Sequence, residues 1–293
     1  MTSIEMPTQA HVAALVSAAL EEDAARDDAT VAFSGITDAP VRAEIRVSQE
    51  TVVAGIGVAR EVLRQMDADV SFHAALSDGE RAGAGALLAD MQGSARSILS
   101  AERTALNFLQ RMCGIATLAA RYVTAVAGTG VTILDTRKTA PLWRELDKYA
   151  VRCGGAMNHR RDLRAMVLIK DNHVRAVGGR DALFARICAV PRAAFAELEV
   201  DSPEFLDCVL ASPACERLDR IMLDNFAPRD VRAAVERVGA WRRAHGGRGL
   251  EIEVSGGITL ETIRAYAIPG VDFISVGAIT HSAPAASMSL EVL

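Results

Sequence analysis

Apolar residues recur at helical spacing in two parts of the chain. In the first, Val12, Val16 and Leu20 belong to a stripe that predicts a helix over 8–20 with Thr8 as its N-cap. In the second, a stripe predicts a long helix that starts at Ser100 and separates two regions of different pattern. The residues of this second stripe are Ala101, Ala105, Leu109, Met112 and Ala116. Between the two helices, alternating and glycine-interrupted sequence over 41–96 predicts short strands and turns.

After the long helix, short apolar segments alternate with helical stretches. The segments are VTILDTRK, AMVLIKDNH, AELEVDS, RIMLDN, EIEVSGGI and DFISVGAIT. Such repeats predict a parallel sheet, either doubly wound or closed into a barrel. The barrel is favoured because Glu197 and Glu199 share one strand face, whereas strands of a doubly wound sheet are usually apolar on both faces. About six units are present instead of the usual eight, so we predict an open, incomplete α/β barrel.

Composition and charge exclude several classes of function. A net charge of −5 and an aromatic content of 4% argue against nucleic acid as a partner. No membrane segment and no secretory signal are visible in the sequence. The cysteines number five and form no CxxC pair, which is typical of reduced thiols. We therefore expect a cytoplasmic protein that binds neither membrane nor nucleic acid.

One segment reverses the overall acidity, because basic residues outnumber acidic ones between residues 135 and 175. Most charge runs are solvated helix faces, and we expect this of Arg161, Arg164 and Arg175. A second group adjoins apolar or glycine-rich sequence, and such a cluster is suited to a small anionic substrate. The residues of this group are Arg137, Lys138, His159, Arg160 and Lys170.

Glu199 and Asp224 end neighbouring predicted strands. Carboxylates at strand ends are usual holders of Mg²⁺ and its waters, with phosphate oxygens completing the coordination. The alternative is a salt bridge inside the barrel to Lys170 or Arg137. The residues alone leave both interpretations open.

Two glycine-containing loops, SGGI at 255–258 and SVGAITH at 275–281, follow the last two predicted strands. Loops at these positions of parallel barrels commonly bind phosphate through successive backbone N–H groups, although any tight turn also needs glycine. Together with the basic group and the acidic pair, they suggest phosphoryl or phosphoribosyl chemistry on an anionic acceptor. The pattern does not choose between the two.

Eight segments, in order along the chain, resemble the quinolinate phosphoribosyltransferase family. They are AERTALNFLQRMCGIAT, ILDTRKTAP, KYAVRCGGAMNHR, LIKDNH, ELEV, IMLDN, SGGI and ISVGAITHSAP. The resemblance implies an N-terminal α+β sandwich-like domain over 1–114, joined by the tail at 281–293, and an open α/β barrel over 115–280. It also implies a homodimer with shared active sites. The implied reaction takes quinolinate and phosphoribosyl pyrophosphate to nicotinate mononucleotide, pyrophosphate and CO₂, a step of NAD biosynthesis.

The resemblance also implies roles for individual residues, by position. The quinolinate carboxylates would be surrounded by Arg137, His159, Arg160 and Lys170, with Arg103 supplied by the neighbouring subunit. Phosphoribosyl pyrophosphate and Mg²⁺ would be held by the catalytic residues Lys138, Lys170, Glu199 and Asp224, with the two acids as metal ligands, through water. The phosphate loops would be lined by Ser255, Gly256, Gly257, Gly277 and His281.

The chain departs from the family pattern at several turns. Leu142 and Asp162 stand where the family usually has glycine, and Ala165 and Ser287 stand where it usually has aspartate. None of these residues is assigned to the chemistry, but each touches the geometry of a loop.

Two other functions are compatible with parts of the pattern. A relative of the same fold that is associated with molybdenum transport shares the TRKT-like and HR motifs, but typically lacks LIKDNH, which is intact here at 168–173. The departures could also indicate a catalytically silent ligand-binding homologue. The retention of every assigned charged residue argues against it, because charges in an interior are costly without a use.

Overall fold

The computed structural model describes residues 6–293. The helices are α1 Gln9–Glu22, α2 Ala29–Ser34, α3 Ile56–Met66, α4 Ala95–Ala125, α5 Arg144–Cys153, α6 Asp171–Ala176, α7 Arg180–Cys188, α8 Pro203–Ala211, α9 Pro228–Ala244, α10 Ile263–Tyr266 and α11 Ala278–His281. The strands are β1 Pro40–Val47, β2 Thr51–Val52, β3 Ser71–Ala74, β4 Arg81–Ala82, β5 Leu87–Ser94, β6 Thr132–Leu134, β7 Val167–Ile169, β8 Ala196–Val200, β9 Arg220–Asp224, β10 Glu251–Ser255, β11 Phe273–Ser275 and β12 Met288–Val292. Within this part of the chain, no helix is both long and apolar enough to span a bilayer.

The chain divides into two compact units. The first contains the residues up to Ala120 together with Thr139–Ala156 and Ile279–Leu293, and the second contains Arg121–Lys138 and Met157–Ala278. The predicted boundary after residue 114 falls inside α4, and residues 139–156, predicted as part of the barrel, group with the first unit instead. Residues 1–5 of the predicted first domain lie outside the described residues.

Side-chain contacts explain why residues 139–156 belong to the first unit. Trp143 stacks on Phe108 of α4 with ring centroids 4.7 Å apart. The hydroxyl of Tyr149 donates a hydrogen bond to Asp78 at 2.6 Å. A stacked aromatic pair such as Phe108 and Trp143 is worth about 0.5–1.5 kcal/mol beyond the area that it buries. They join segments far apart in sequence, so local sequence patterns do not reveal them.

The first unit is built on an antiparallel sheet of order β12-β1-β5-β3. Ala43, Ile45 and Val47 are fully or almost fully buried and alternate along β1 with more accessible residues, as expected for a sheet with one face on the core. The C-terminal strand β12 pairs with β1, with Ile45 opposite Leu290. The end of the chain thus belongs to this sheet.

Helix α3 corrects the prediction of strands and turns alone over 41–96. Its N-terminus follows Gly55, which has a φ of 99°. The carboxylate of Asp78 accepts the backbone N–H groups of Gly55 at 3.0 Å and Ile56 at 3.1 Å. A cap satisfies N–H groups that have no partner inside the helix. Here the capping residue lies more than twenty positions away, beyond the reach of a local capping rule.

The other two helix predictions are confirmed. In α1, the hydroxyl of Thr8 accepts the N–H of His11 at 3.4 Å, and Val12, Val16 and Leu20 are buried. Every residue of the predicted stripe of α4 is fully buried, although the helix begins at Ala95 instead of Ser100. Gly114 permits a close approach of the C-terminal tail, because a Cβ there would lie 2.1 Å from the carbonyl oxygen of Pro284.

The second unit is a parallel six-stranded sheet of order β6-β11-β10-β9-β8-β7. In the described residues, β6 and β7 do not pair with each other; the residue paired with the outer side of β6 is Met157, in a single parallel bridge to Leu134. This order confirms the open, incomplete α/β barrel. The alternation is also as predicted, because Leu198 and Val200 of β8 are fully buried while Glu199 lies on the other face.

One departure from the family pattern has a backbone consequence. Leu142 has a φ of 65° and is 82% exposed. Left-handed backbone costs a non-glycine residue roughly 1–2 kcal/mol. The structure therefore shows why glycine suits this position, and it shows no packing gain from the leucine side chain.

We expect Leu142→Gly to be more stable than Leu142→Ala by about 1 kcal/mol in free energy of unfolding, measured by urea denaturation. Relief of the left-handed strain outweighs the entropy that glycine adds to the unfolded chain. At an exposed position with ordinary φ the order of the two variants would be reversed. An alanine variant that is the more stable of the two would show that residue 142 is not strained in solution.

Candidate active site

The second unit contains a cavity of about 540 Å³ at the carboxyl ends of its strands. Parallel barrels build their active sites at this end, because the loops that follow the strands converge there. Glu199 is the next-to-last residue of β8, Asp224 ends β9 and Ser255 ends β10. The predicted site residues that line the cavity are Arg137, Lys138, His159, Arg160, Lys170, Glu199, Asp224, Ser255, Gly256 and Gly257.

Three predicted site residues do not line this cavity in the described chain. Arg103 lies on α4 in the first unit, and its side chain is 60% exposed. Gly277 directly precedes α11, and His281 ends that helix, where its Nδ1 lies 2.6 Å from the hydroxyl of Ser282. The cavity brings the other predicted residues together within one unit.

Glu199 forms a salt bridge with Lys170, which follows β7. The two side chains are 12% and 41% exposed, respectively. The sequence left a salt bridge and a metal site open, and the structure contains the salt bridge. A carboxylate this close to the cavity can still bind a cation through its remaining lone pairs. The pair also keeps the Lys170 ammonium at the cavity wall.

Asp224 is joined to the glycine loop through Asn225. The side-chain N–H₂ of Asn225 donates to Asp224 Oδ2 at 2.7 Å, and its backbone N–H donates to the carbonyl of Ser255 at 2.9 Å. Gly256 has a φ of 97°, and a Cβ there would lie 2.2 Å from Asn225 Oδ1. The glycine is therefore required by both backbone conformation and space.

His159 is buried at the cavity wall and is held on all sides by protein groups. Its backbone N–H donates to Asp135 Oδ1 at 2.7 Å, and its Nδ1 accepts the backbone N–H of Arg160 at 2.7 Å. Nε2 lies 3.3 Å from Glu197 and 3.5 Å from Glu253. Nδ1 thus has a hydrogen-bond partner, whereas Nε2 faces two carboxylates at ion-pair distance.

Two influences act in opposite directions on the protonation of His159. Burial lowers the pKa of the ring, but Glu197 and Glu253 outweigh it and raise the pKa to about 9. The Arg160 N–H favours the neutral ring, because Nδ1 must keep a lone pair to accept it. In the charged form and in this neutral form alike, Nε2 carries a hydrogen and faces the two carboxylates.

Glu197, Glu253 and Arg220 form a charged cluster beneath the cavity wall. Both carboxylates are fully buried, and Arg220 lies 2.9 Å from Glu253 and 4.0 Å from Glu197. Phe273 packs on the guanidinium, with its ring centroid 4.0 Å away. Burial raises the pKa of Glu197, whereas His159 and Arg220 outweigh burial at Glu253 and lower its pKa.

Metal-ligand atoms of His159, Glu197 and Glu253 lie within 4.8 Å of one another. Arg220 lies 2.9 Å from Glu253 and also pairs with Glu251 at 2.8 Å, so a cation of the protein already faces these acids. The predicted Mg²⁺ ligands, Glu199 and Asp224, do not belong to this group.

Arg137 and Arg160 are close enough to repel each other. Burial is the main cause that lowers the pKa of Arg160, and the positive charge of Arg137 lowers it further. The Arg137 Nε is buried and has no hydrogen-bond partner in the described residues. Two partly buried guanidinium groups that repel each other are stabilised by a neighbouring anion. The cavity is therefore suited to an anionic ligand.

Two domain descriptions match the chain and together span most of it. "Quinolinate phosphoribosyl transferase, N-terminal domain" matches residues 27–113, and "Quinolinate phosphoribosyl transferase, C-terminal domain" matches residues 115–291. The chain belongs to the quinolinate phosphoribosyltransferase family. The resemblance found in the motifs is confirmed.

Relatives within this family are similar over most of their length. The nicotinate-nucleotide pyrophosphorylase (carboxylating) of Mycobacterium leprae is 43% identical over 82% of this chain and 82% of its own. The probable nicotinate-nucleotide pyrophosphorylase (carboxylating) of Bacillus subtilis is 36% identical over 85% and 83%. The solved nicotinate-nucleotide pyrophosphorylase of Francisella tularensis superposes with a TM-score of 0.87 at 36% identity, covering 99% of both chains.

Sequence reasoning missed several residues that this family member places at the cavity. Thr136, Asn225, Glu253 and Ser275 line it, and Glu197 lies behind His159. A signal for the two glutamates was present, because strand alternation places Glu197 with Glu199 and Glu253 with Ser255. Asn225 had no comparable signal, since its role depends on a left-handed φ of 59° that the sequence does not state.

Proposed function

We propose that this chain catalyses phosphoribosyl transfer from phosphoribosyl pyrophosphate to quinolinate with decarboxylation. The products are nicotinate mononucleotide, pyrophosphate and CO₂, and the reaction serves NAD biosynthesis. The supporting observation is one cavity in which paired guanidinium groups lie with acidic side chains and a glycine loop at strand ends. Membership of the family and the activities for which its relatives are named support the same reaction.

Arg137 and Arg160 are proposed to bind the two carboxylates of quinolinate, with Lys170 as a third donor. Guanidinium groups suit this part because their planar N–H pairs match carboxylate geometry. The Nδ1 of His159 accepts the backbone N–H of Arg160, and its Nε2 faces Glu197 and Glu253. We therefore propose that it contributes to acceptor binding by fixing the backbone of Arg160, whose N–H it accepts.

Mg²⁺ is proposed to bind through Glu199 and Asp224, with water molecules and phosphate oxygens as the remaining ligands. The donor set fits, since both are carboxylates at adjacent strand ends and Mg²⁺ prefers oxygen ligands. When bound, the ion would neutralise charge that develops on the departing pyrophosphate. Lys138, exposed at the cavity, and Lys170 would add positive charge.

The phosphate groups are proposed to lie against Ser255, Gly256 and Gly257. Gly256 and Gly257 have positive φ and no side chain, so the backbone of this loop allows a phosphate to approach closely. Gly277 and His281 complete this part of the proposal on the strength of the family motif. Glu199 would also stabilise positive charge on the ribosyl carbon as the bond to pyrophosphate breaks.

A homodimer with shared active sites is proposed as the working unit, in the cytoplasm. All five cysteines are free thiols, as expected in a reducing compartment. The cavity of the second unit does not include Arg103, which lies exposed on α4 of the first unit. We propose that Arg103 reaches the quinolinate of the partner subunit.

The shared site predicts complementation between two inactive variants. Hybrid dimers of Arg103→Ala and Lys170→Ala should have about half of wild-type turnover per dimer, because each hybrid contains one complete site. An equimolar mixture at full exchange should recover about a quarter, since half of its dimers are hybrids. Activity is measured after subunit exchange that mass spectrometry has verified. Exchanged dimers without activity would place Arg103 in its own subunit's site or outside any site. Mixing each variant with itself is the control.

The direct test of the function is incubation with quinolinate, phosphoribosyl pyrophosphate and Mg²⁺, followed by detection of nicotinate mononucleotide and CO₂. Formation of both products in equal amounts is expected. Transfer to another anionic acceptor would identify a same-fold relative such as the molybdenum-associated type. Binding of quinolinate without any turnover would identify a catalytically silent homologue.

A further inference from the structure

Asn225 has an unusual backbone and three contacts that converge on the cavity. Its φ of 59° is left-handed, a region that asparagine enters more readily than most residues. It directly follows β9, whose last residue, Asp224, is opposite Ser255, the last residue of β10, in the parallel register. The residue therefore lies where the acidic strand end and the glycine loop meet.

The contacts of Asn225 connect these two parts of the site. The side-chain N–H₂ donates to Asp224 Oδ2 at 2.7 Å, while the backbone N–H donates to the Ser255 carbonyl at 2.9 Å. A carboxylate accepts but does not donate, so the amide must present its nitrogen to Asp224 and its oxygen away from it. That oxygen lies against Gly256, where a Cβ would be only 2.2 Å away.

Each feature of this arrangement depends on the others. With an ordinary negative φ at residue 225, the chain would leave β9 in another direction, and the amide would not reach back to Asp224. With any side chain at residue 256, the amide oxygen would have no space. The hydrogen bond from the backbone N–H of Asn225 to the Ser255 carbonyl fixes this arrangement relative to β10.

We propose that Asn225 is a positioning residue that fixes the Asp224 carboxylate relative to the loop of Ser255, Gly256 and Gly257, so that both engage one magnesium-bound diphosphate. The inference rests on the proposed function, which assigns the metal to Asp224 and the phosphates to the loop. It adds the residue that holds the Asp224 carboxylate and this loop in a fixed relative position. Asn225 itself touches neither the acceptor nor the reacting carbon in this proposal.

Asparagine is a residue type that suits this positioning role. An aspartate at 225 could adopt the same φ, but it would place a second carboxylate against Asp224 and repel it. A glycine could adopt the φ at no cost but would lack the amide. These two substitutions separate the backbone conformation from the hydrogen bond.

The test measures binding of magnesium pyrophosphate and of quinolinate by calorimetry on the full-length protein. Asn225→Gly should lower the affinity for magnesium pyrophosphate by about 10- to 100-fold, as expected for loss of a hydrogen bond to a charged group. Asn225→Asp should lower this affinity at least as much, and the affinity should depend more steeply on the Mg²⁺ concentration. Quinolinate binding should change by less than about threefold in both. Gln49→Glu, an exposed substitution with the same charge change, is the control and should bind both ligands as wild type.

A double-mutant cycle tests the contact with Gly256. Gly256→Ala should also weaken magnesium pyrophosphate, and adding it to Asn225→Gly should cost less than in the wild type. The reason is that the 2.2 Å contact with the side-chain amide oxygen is then absent, while the 2.8 Å approach to the backbone nitrogen of residue 225 remains in both backgrounds. Strictly additive losses would show that Gly256 acts independently of Asn225 and would overturn the proposed link.

The outcomes separate this inference from the proposed function. If wild type binds magnesium pyrophosphate and Asn225→Gly binds it equally well, the positioning role is wrong and the proposed function stands. If both variants lose affinity for quinolinate and for magnesium pyrophosphate to the same extent, the effect is general and the positioning role of Asn225 is also wrong. If wild type binds neither ligand, the proposed function fails and the inference fails with it.

Discussion

Quinolinate should exceed nicotinate as acceptor by roughly two to four decades in kcat/KM. The two molecules differ only by the carboxylate next to the ring nitrogen. Burial lowers the pKa of Arg160, the charge of Arg137 lowers it further, and the Arg137 Nε has no hydrogen-bond partner in the described chain. With a single carboxylate bound, one guanidinium would remain buried beside the other without its anion.

The magnitude follows from the hydrogen bonds that nicotinate cannot make. A hydrogen bond to a charged group contributes about 1.5–3 kcal/mol net, and leaving its buried partner unsatisfied costs more. Loss of two such bonds corresponds to roughly 3–6 kcal/mol. Steady-state kinetics with both acceptors at fixed phosphoribosyl pyrophosphate and Mg²⁺ measure the ratio.

Arg160→Lys is the matched variant for this prediction, because an ammonium keeps the charge but not the planar pair of N–H groups. We expect it to lose activity toward quinolinate strongly and to narrow the preference between the two acceptors. Comparable kcat/KM for quinolinate and nicotinate in the wild type would refute both the proposed pocket and the proposed reaction. It would point to a relative that has kept the scaffold and changed its acceptor.

Replacement of Glu199 or Asp224 by alanine should lower kcat/KM for phosphoribosyl pyrophosphate by at least about a hundredfold. A metal ion contributes several kcal/mol of charge stabilisation in such reactions, and either change removes one of its proposed ligands. The Mg²⁺ concentration needed for half-maximal activity should rise in both variants. The fold should remain intact, because neither side chain belongs to the buried core.

Glu199 needs a further control because it also pairs with Lys170. Glu199→Gln keeps the size of the side chain and removes the charge that pairs with Lys170 and that is proposed to hold the metal. Lys170→Met removes the lysine without removing the carboxylate. A raised Mg²⁺ requirement in Glu199→Gln that Lys170→Met does not share would identify the metal. Wild-type Mg²⁺ dependence in both alanine variants would show that the metal binds elsewhere.

The sequence by itself determined the class of fold and most members of the site. Strand alternation has a period of two residues, so a local segment such as AELEV already shows which side chains share a face. Because parallel strands bring their carboxyl ends to one edge, Glu199, Asp224 and Ser255 were expected together, and they line one cavity. The motifs added Arg137 and Arg160 at the same place.

Other features were decided only by the tertiary structure, because they depend on contacts between residues far apart in the sequence. Helix α3 is capped by Asp78, and the segment at 139–156 joins the first unit through Trp143 and Tyr149. His159 carries a motif that implies substrate binding, yet its Nε2 faces Glu197 and Glu253.

The position of Asn225 is the clearest example of a feature that only the tertiary structure decided. Its part in the site follows from a backbone dihedral and from the space left by a glycine on the next strand. A left-handed residue is rare and has no periodic signature, and a missing Cβ matters only when a particular neighbour occupies the space. Periodicity therefore located the strand ends, whereas packing between neighbouring strands decided how the side chains at those ends are held.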